Sequence, residues 1–533
     1  MTGAPAAAAF RSGPARLWCQ LALAALCLAA TAWMRPLTLP DEGRYVGVAW
    51  DMVSRGDGLT PVLDGLPYFH KPPLFYWITA AALSLFGPHE WPARAAPWLG
   101  ALLATASVFL FAYRWCGARV ARLGLLAMLT QPLILVGGQF ANMDMLVAGL
   151  ITAATLAGAD AILRLDAGLP WRRSVLAAHA LAGLGVLAKG LIGVVIPALT
   201  LLSALLLTRR QRWVPRLLWL PAVLVLAAVV VPWFWLMDRQ HPGFLHYVVV
   251  EQHLNRYLGS GFNNVQPAWF FPAILALVAL PWWPWVITGL WRAHAAPGAP
   301  ATFIRVLMVV WGVAVTVFFS IPQSKLLGYI LPAVAPLALL AACGYAARDQ
   351  PGALQRVAWW SGQAVLVVAS LSVVVVLTLR PTSSSRTLGH WLAQQPVREG
   401  SVWLLDRYDF DLMFYARLRS PLRVVGDWTD PDYARHDNWR KELADAGRFA
   451  PDRAAQILVT RAGFLRAACA GQVDWVVASP ETARTWGLLL QAPPVFTAAP
   501  QARAAAVWRL DPGRLASAGL DCPQTPTPGS AGR

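Results

Sequence analysis

The chain has 533 residues, of which 57% are hydrophobic and 13% charged, with a mean hydropathy of +0.49. That balance excludes an ordinary soluble protein and points to a polytopic membrane protein. The formal net charge of +17 would suit nucleic acid in a soluble chain, but here much of the arginine lies in short loops between apolar runs; this reads as membrane topology and attraction to anionic lipid, with no nucleic-acid partner.

A spanning helix needs about 20 mainly apolar residues. Runs near that length occur at 17–34, 95–113, 123–138 and 143–163, followed by two within 174–208 divided by Ala188-Lys-Gly190. They continue at 215–237, 268–290, 302–320, 326–346 and 357–379. The segment 72–87 is apolar too, but it is short and begins Pro-Pro. It reads as a juxtamembrane or re-entrant helix, with a full span as the rival reading.

The positive-inside rule separates these readings. With 72–87 non-spanning, one side collects Arg114, Arg119 and Arg122, then Arg164, Arg172 and Arg173, then Arg209, Arg210, Arg212 and Arg216, and later Arg292, Arg305, Arg348 and Arg356. The other side keeps few basic residues. The expectation is an all-α bundle of about 11 spans, with 13 as the upper count, the N-terminus cytoplasmic and the C-terminus outside. Arg11 and Arg16 before the first run also resemble a signal peptide. The uncharged run from Leu17 to Met34 is long for one, so a retained helix is expected.

From about Arg380 the character changes to mixed charge with short apolar runs at Val402–Leu405, Leu422–Val425, Ile457–Val459 and Val473–Ala478. These predict strands alternating with helices. The expected division is a membrane domain over 1–380 with its first outer loop at 35–93, a small periplasmic α/β domain over 381–515, and a disordered tail over 516–533. Of six cysteines, only Cys469 and Cys522 fall on the oxidising side, where a disulfide is permitted. Zinc-type spacing is absent from the sequence.

Ionisable residues gather on the outer face. Asp41, Glu42, Arg44, Tyr45, Tyr68, His70 and Lys71 lie in the first outer loop, and Asp144 follows a Gly-Gly-Gln-Phe-Ala-Asn-Met turn at the next. Glu251, His253, Arg256 and Tyr257 occupy a later loop, and Lys325 and Tyr329 open a helix from the same side. Charges at a bilayer border are costly to desolvate, so their clustering favours function. Bland readings stand beside it: Arg44 and Arg256 could snorkel to headgroups, and Tyr45, Tyr68, Tyr76 and Trp77 could form an aromatic belt. A lone His253 is more often structural. Asp41 and Asp144 are the carboxylates for which function outweighs the bland reading.

Asp41-Glu-Gly-Arg-Tyr45, the Gly56-Asp57 turn with Pro61, and Tyr68-Phe-His-Lys-Pro-Pro-Leu-Phe-Tyr-Trp77 resemble the first outer loop of the protein mannosyltransferase-like glycosyltransferases. Within that family they look like the branch of the lipid A aminoarabinose transferases. Leu187-Ala-Lys-Gly190, Pro232-Trp-Phe-Trp235, Glu251-Gln-His-Leu-Asn-Arg-Tyr257, Phe319-Ser-Ile-Pro-Gln-Ser-Lys-Leu326 and Tyr329-Ile-Leu-Pro332 extend the match in order. Tyr408-Asp-Phe-Asp-Leu-Met-Phe-Tyr415 extends it less sharply into the outer domain.

The resemblance implies a GT-C bundle in a bacterial inner membrane that takes a polyprenyl-phosphate sugar and transfers the sugar, by an inverting single displacement, on the periplasmic face to lipid A or another glycan or protein acceptor. A lipid-linked donor needs no nucleotide pocket, which fits the missing GxGxxG fingerprint. By matching position, Asp41 is the leading catalytic carboxylate, with Glu42 beside it and Asp144 as the second acid. Lys71, Arg256 and His253 would hold the donor phosphate, Tyr45, Tyr68 and Tyr329 would support by hydrogen bonding, and Arg44, His70 and Lys325 complete the binding set. No cofactor is implied with certainty. His70 with His253 leaves room for a divalent cation, although two imidazoles are weak evidence for one. In the aminoarabinose transferases a Glu usually precedes the matching lysine, and here it is His70. That departure leaves the sugar open between aminoarabinose, an aminohexose such as glucosamine, and others. A protein or O-antigen transferase remains the alternative, and a flippase is the different class; outer-end rather than midplane charges argue against the last.

Overall fold

The computed structural model describes residues 14–254, 264–292, 299–379, 384–430, 438–487, 493–498 and 504–510. They form two compact units, one of residues 1–35 and 69–379 and one of residues 36–68 and 380–533. Residues 36–68, assigned above to the membrane domain, group with the C-terminal residues, and the tail expected over 516–533 lies outside the described residues.

The first unit is helical. Among the described residues, six helices are long and apolar enough to cross a membrane, or seven if Phe270–Val278 and Leu280–Trp291, bent by 60°, form one span. The six are Ala95–Trp115, Met143–Asp166, Leu220–Gln240, Pro300–Ser320, Leu327–Ala346 and Ala353–Leu379. The remaining apolar runs are also helical but shorter, as at Ala15–Ala29 and Ile192–Leu207. The segment at 72–87 becomes the helix Leu74–Phe86 of 13 residues, about 20 Å long at 1.5 Å per residue and short of a roughly 30 Å hydrocarbon core.

Two breaks have local causes. The run at 123–138 is split into helices Ala118–Thr130 and Pro132–Gly137, with Gln131 extended between them. Pro132 has no N–H to donate, and its ring drives the preceding residue out of helical geometry. The second break falls after Lys189, where Gly190 takes φ 97° and separates Arg172–Lys189 from Ile192–Leu207.

Hydropathy does not reveal which helix is central. Met143–Asp166 and Ala353–Leu379 are both strongly apolar, yet the first is almost wholly buried and the second is mostly exposed. Small residues explain part of this. A Cβ on Gly149 would lie 2.2 Å from the Gly100 carbonyl oxygen, and one on Gly100 would lie 2.3 Å from that of Met145. The two backbones therefore touch, the close approach typical of small residues at helix interfaces in membranes.

The second unit is built on a mixed sheet. Residues 36–68 supply the helix Asp41–Arg55 and a hairpin of β1 (Val62–Leu63) and β2 (Leu66–Pro67). Asp64 and Gly65 turn the hairpin with φ 53° and 78°, the left-handed pair that an Asp-Gly two-residue turn accommodates. The C-terminal residues add β3 (Val402–Leu405), β4 (Arg423–Val425), β5 (Leu458–Val459), β6 (Trp475–Ala478), β7 (Phe496–Thr497) and β8 (Ala506–Arg509). The sheet order is β5-β4-β3-β6-β8-β7. The pairs among β5, β4, β3 and β6 are parallel, with Leu404 opposite both Val424 and Val477, while β8 runs antiparallel to β6 and β7. Intervening helices such as Arg461–Cys469 pack Phe464, Ala467 and Ala468 onto Trp403, Leu405, Val476 and Trp486.

The 36–68 segment is sewn to this sheet unit by buried polar bonds. The Asp64 N–H donates to Asp51 at 2.7 Å, and the Leu422 N–H, at the approach to β4, donates to Asp64 at 2.8 Å. The Leu37 N–H donates to the Tyr415 hydroxyl and the Trp50 indole to the Leu418 carbonyl, each at 2.8 Å. Gly47 passes so close to the Phe410 carbonyl that a Cβ would sit 2.8 Å from its oxygen. The Tyr408–Tyr415 motif is thus the surface on which the segment rests.

Candidate active site

In the second unit the chemistry collects on the first turn of the helix Asp41–Arg55. Pro40 ends the preceding chain, and the Glu42 and Arg44 amides donate to the Thr38 and Pro40 carbonyls at 3.0 and 2.9 Å. Glu42 is fully buried, and its carboxylate accepts the Thr38 N–H at 2.9 Å, a capping contact. Arg44 pairs with Asp41 on one side and with Glu442 on the other. Its guanidinium lies 5.0 Å from the centre of the Tyr45 ring and 5.8 Å from that of Phe410. The Tyr68 hydroxyl donates to the second oxygen of Glu442 at 3.3 Å.

Burial by itself lowers the Arg44 pKa, but Glu442, Tyr45, Tyr68 and Asp41 outweigh it and hold the guanidinium well above its ordinary value. The cation is therefore permanent. Exposure distinguishes its two acidic partners: the side chain of Asp41 is 36% exposed and that of Glu442 is 9%. Asp41 is the carboxylate that a ligand can reach, and Arg44 and Glu442 hold it in place.

A second cluster lies within the first unit. Asp144 stands in the first turn of the helix Met143–Asp166, where the Asn142 side chain caps the helix by accepting the Asp144 N–H at 3.0 Å. Its carboxylate pairs with Lys189, the last residue of Arg172–Lys189, and both side chains are largely buried. The Lys189 ammonium also sits 4.3 Å from the centre of the Tyr329 ring, within cation–π range. Gly328 is required here, because a Cβ would come within 2.2 Å of the Asp144 carboxylate.

The other candidates of this unit are distributed. His70 is half-buried, with its ring centre 6.0 Å from that of Tyr247, and Lys71 beside it is half-buried as well. Lys325 is buried, and its ammonium donates to the Gln266 carbonyl at 2.9 Å. The bridge between Val265 and Ser324 positions it. Tyr76, like Tyr68 of the second unit, is buried rather than set in an exposed aromatic belt. His253 falls in the π-helical turn Tyr247–Leu254, and its side chain, like the whole of Arg256, lies outside the described residues. Among the described residues no group of three or more His, Cys, Asp or Glu side chains could hold a metal ion.

Two members of these clusters were not among the sequence candidates. Lys189 stood inside the quoted Leu187-Ala-Lys-Gly190 motif, and a lysine at a Gly-marked break between two apolar helices was the signal. Glu442, 398 residues from Arg44, carried none: an acid in a polar helix looks like any solvated face.

Residues 70–235 match the family described as dolichyl-phosphate-mannose-protein mannosyltransferase. The chain is 33% identical to the undecaprenyl phosphate-alpha-4-amino-4-deoxy-L-arabinose arabinosyl transferase 1 of Sodalis glossinidius, over 58% of this chain and 55% of that one. It is 30% identical to the corresponding transferase of Aeromonas hydrophila, over 65% of this chain and 63% of that one. The match thus spans less than two thirds of either relative. The crystal structure of ArnT from Cupriavidus metallidurans bound to undecaprenyl phosphate superposes with a TM-score of 0.76 at 26% identity, covering 94% of this chain and 99% of that one.

Proposed function

We propose that the chain is a member of the protein mannosyltransferase-like family of GT-C-fold membrane glycosyltransferases, to which it is similar, and that it moves a sugar from a polyprenyl phosphate, such as undecaprenyl phosphate, to a phosphate of lipid A or a related acceptor. The observation that carries this reading is Asp41: a half-exposed carboxylate on a buried helix turn, clamped by a permanent cation. The near full-length likeness to a protein crystallised with undecaprenyl phosphate supports the donor.

In this reaction the bond between the sugar's anomeric carbon and the donor phosphate oxygen breaks, and an acceptor oxygen bonds to that carbon. The electron pair leaves with the polyprenyl phosphate. Negative charge grows on the leaving phosphate, so fixed cations stabilise the transition state more than the ground state. We assign that work to Lys71, Arg256, His253 and Lys325, with Arg44 and His70 completing the set. A phosphate acceptor is already anionic and needs little deprotonation. Asp41 then orients acceptor or sugar and stabilises oxocarbenium character, and Asp144, held by Lys189, is the second acid. Glu42 supports Asp41 by capping its helix turn, and Tyr45, Tyr68 and Tyr329 orient their charged neighbours. Transfer by single displacement inverts the anomeric centre.

The same reading places the chain in a bacterial inner membrane with about 11 spans, a cytoplasmic N-terminus and a periplasmic sheet unit. The disulfide at Cys469 supports an oxidising compartment for that unit. His70 with His253 leaves room for a divalent cation, so metal dependence is tested by chelation. The deciding experiment is mass spectrometry of lipid A from cells with and without this chain. A phosphate-linked sugar that disappears with the gene identifies donor and acceptor together. An unchanged profile refutes the lipid A acceptor and turns the reading to protein or O-antigen.

A further inference from the structure

A large cavity lies away from the acids above. It occupies about 1360 Å³ between the C-terminal halves of Ala95–Trp115 and Met143–Asp166 and the N-terminal half of Arg172–Lys189. Asp160, which lines it, is 16 residues beyond Asp144 on one helix, about 24 Å along the axis. The cavity therefore sits at the opposite end of the helix from the proposed catalytic acid.

Its walls divide by chemistry. Leu103, Leu110, Phe111 and Leu181 make an apolar side, while Arg114, Arg164, Arg172, Arg173 and Arg216 gather at the rim with Asp160 as their single acid. Asp160 is already satisfied: it accepts from Arg114 and the Trp115 indole at 2.9 Å, from Arg164 at 2.6 Å and from the Ser174 hydroxyl at 2.5 Å. Arg172, Arg173 and Arg216 have no carboxylate partner among the described residues. Two are steadied by rings instead, Arg172 at 5.4 Å from the centre of Trp219 and Arg216 at 5.7 Å from that of Trp213.

Three unneutralised guanidinium groups beside an apolar wall select an amphiphile with an anionic head. The volume exceeds the roughly 300–1,000 Å³ of pockets that take drug-sized ligands, and basic pockets between membrane helices suit phosphate headgroups. We propose that this cavity binds one anionic phospholipid, with its phosphate on Arg172, Arg173 and Arg216 and an acyl chain along the apolar wall.

Native mass spectrometry of the full-length protein in detergent tests this with phosphatidylglycerol and phosphatidylcholine of equal chain length. Phosphatidylglycerol should be retained preferentially. Its affinity should fall about fivefold for each arginine changed to Gln and on the order of a hundredfold in R172Q/R173Q/R216Q. Neutral A177W, at the exposed rim of the cavity, should weaken phosphatidylglycerol by filling the space, while R172K/R173K/R216K should retain the preference and so control for folding. Equal binding of the two lipids would overturn the site, as would an A177W variant that binds like the unmodified protein, which would mean diffuse attraction by surface charge. Displacement by equimolar undecaprenyl phosphate would overturn the assignment to a phospholipid.

Discussion

Replacing Lys189 by Met keeps the length of the side chain and removes the only cation seen to pair with Asp144 among the described contacts. The two side chains are 12% and 7% exposed, so the stranded carboxylate has little water to turn to. The Asn142 amide at 3.3 Å offers partial compensation. Breaking a buried pair by deleting one partner costs about 3–5 kcal/mol, and losing the cation–π contact with Tyr329 adds about 0.5–2 kcal/mol. Against a typical stability of about 5–15 kcal/mol, K189M should be severely destabilised. D144N, which strands the ammonium, should cost a similar amount. K189M/D144N replaces the pair by neutral groups and should recover most of the loss, because removing both partners is far cheaper than removing one. Unfolding midpoints of the four full-length proteins in detergent complete the cycle, with an expected coupling of about 3 kcal/mol. Single-site losses that add to within about 0.5 kcal/mol would refute the pairing.

Burial pushes Asp51 up to about 7, so the folded protein keeps a proton that the unfolded chain releases near pH 3.9. Stability should therefore fall as pH rises from about 4 to 7, by up to about 4 kcal/mol from this group, and level off above. D51N should raise the unfolding midpoint at pH 8 more than at pH 5, and equal gains at both would contradict the assignment; Asp411, also held at about 7 by burial, adds a similar slope that D51N leaves in place. D41N should lose at least a hundredfold in sugar transfer while keeping its melting midpoint, since Asp41 is half-exposed and retained activity would remove it from the catalytic set. Lys71→Ala should chiefly raise the KM for the polyprenyl-phosphate donor, a shift read from initial rates over a donor titration, and an unchanged KM would take Lys71 off the phosphate.

Much of the helical order is legible in local composition. Every long apolar run named in the membrane region is helical over most of its length, and the break at Gly190 lies where Ala188-Lys-Gly190 interrupts the pattern. The strands at Val402–Leu405 and Trp475–Ala478 coincide with short apolar runs. Within the first outer loop, acids, bases and aromatics stand close enough in sequence to mark Asp41, Arg44 and Tyr45 together. The Gln131 break was legible in principle, since Pro132 sits inside the apolar run, but hydropathy averages over a single missing N–H.

What the sequence alone determined is what depends on neighbours along the chain: which segments prefer apolar surroundings, where Pro and Gly interrupt them, and which residue types could handle a phosphate. Only the tertiary structure decided which of these meet. It set Glu442 against Arg44, Lys189 against Asp144, and residues 36–68 against the sheet of the C-terminal unit rather than with the helices that flank them. The reason is energetic: a buried carboxylate or backbone N–H must find a partner wherever the fold supplies one, and that partner can stand hundreds of residues away without leaving any periodicity in the sequence.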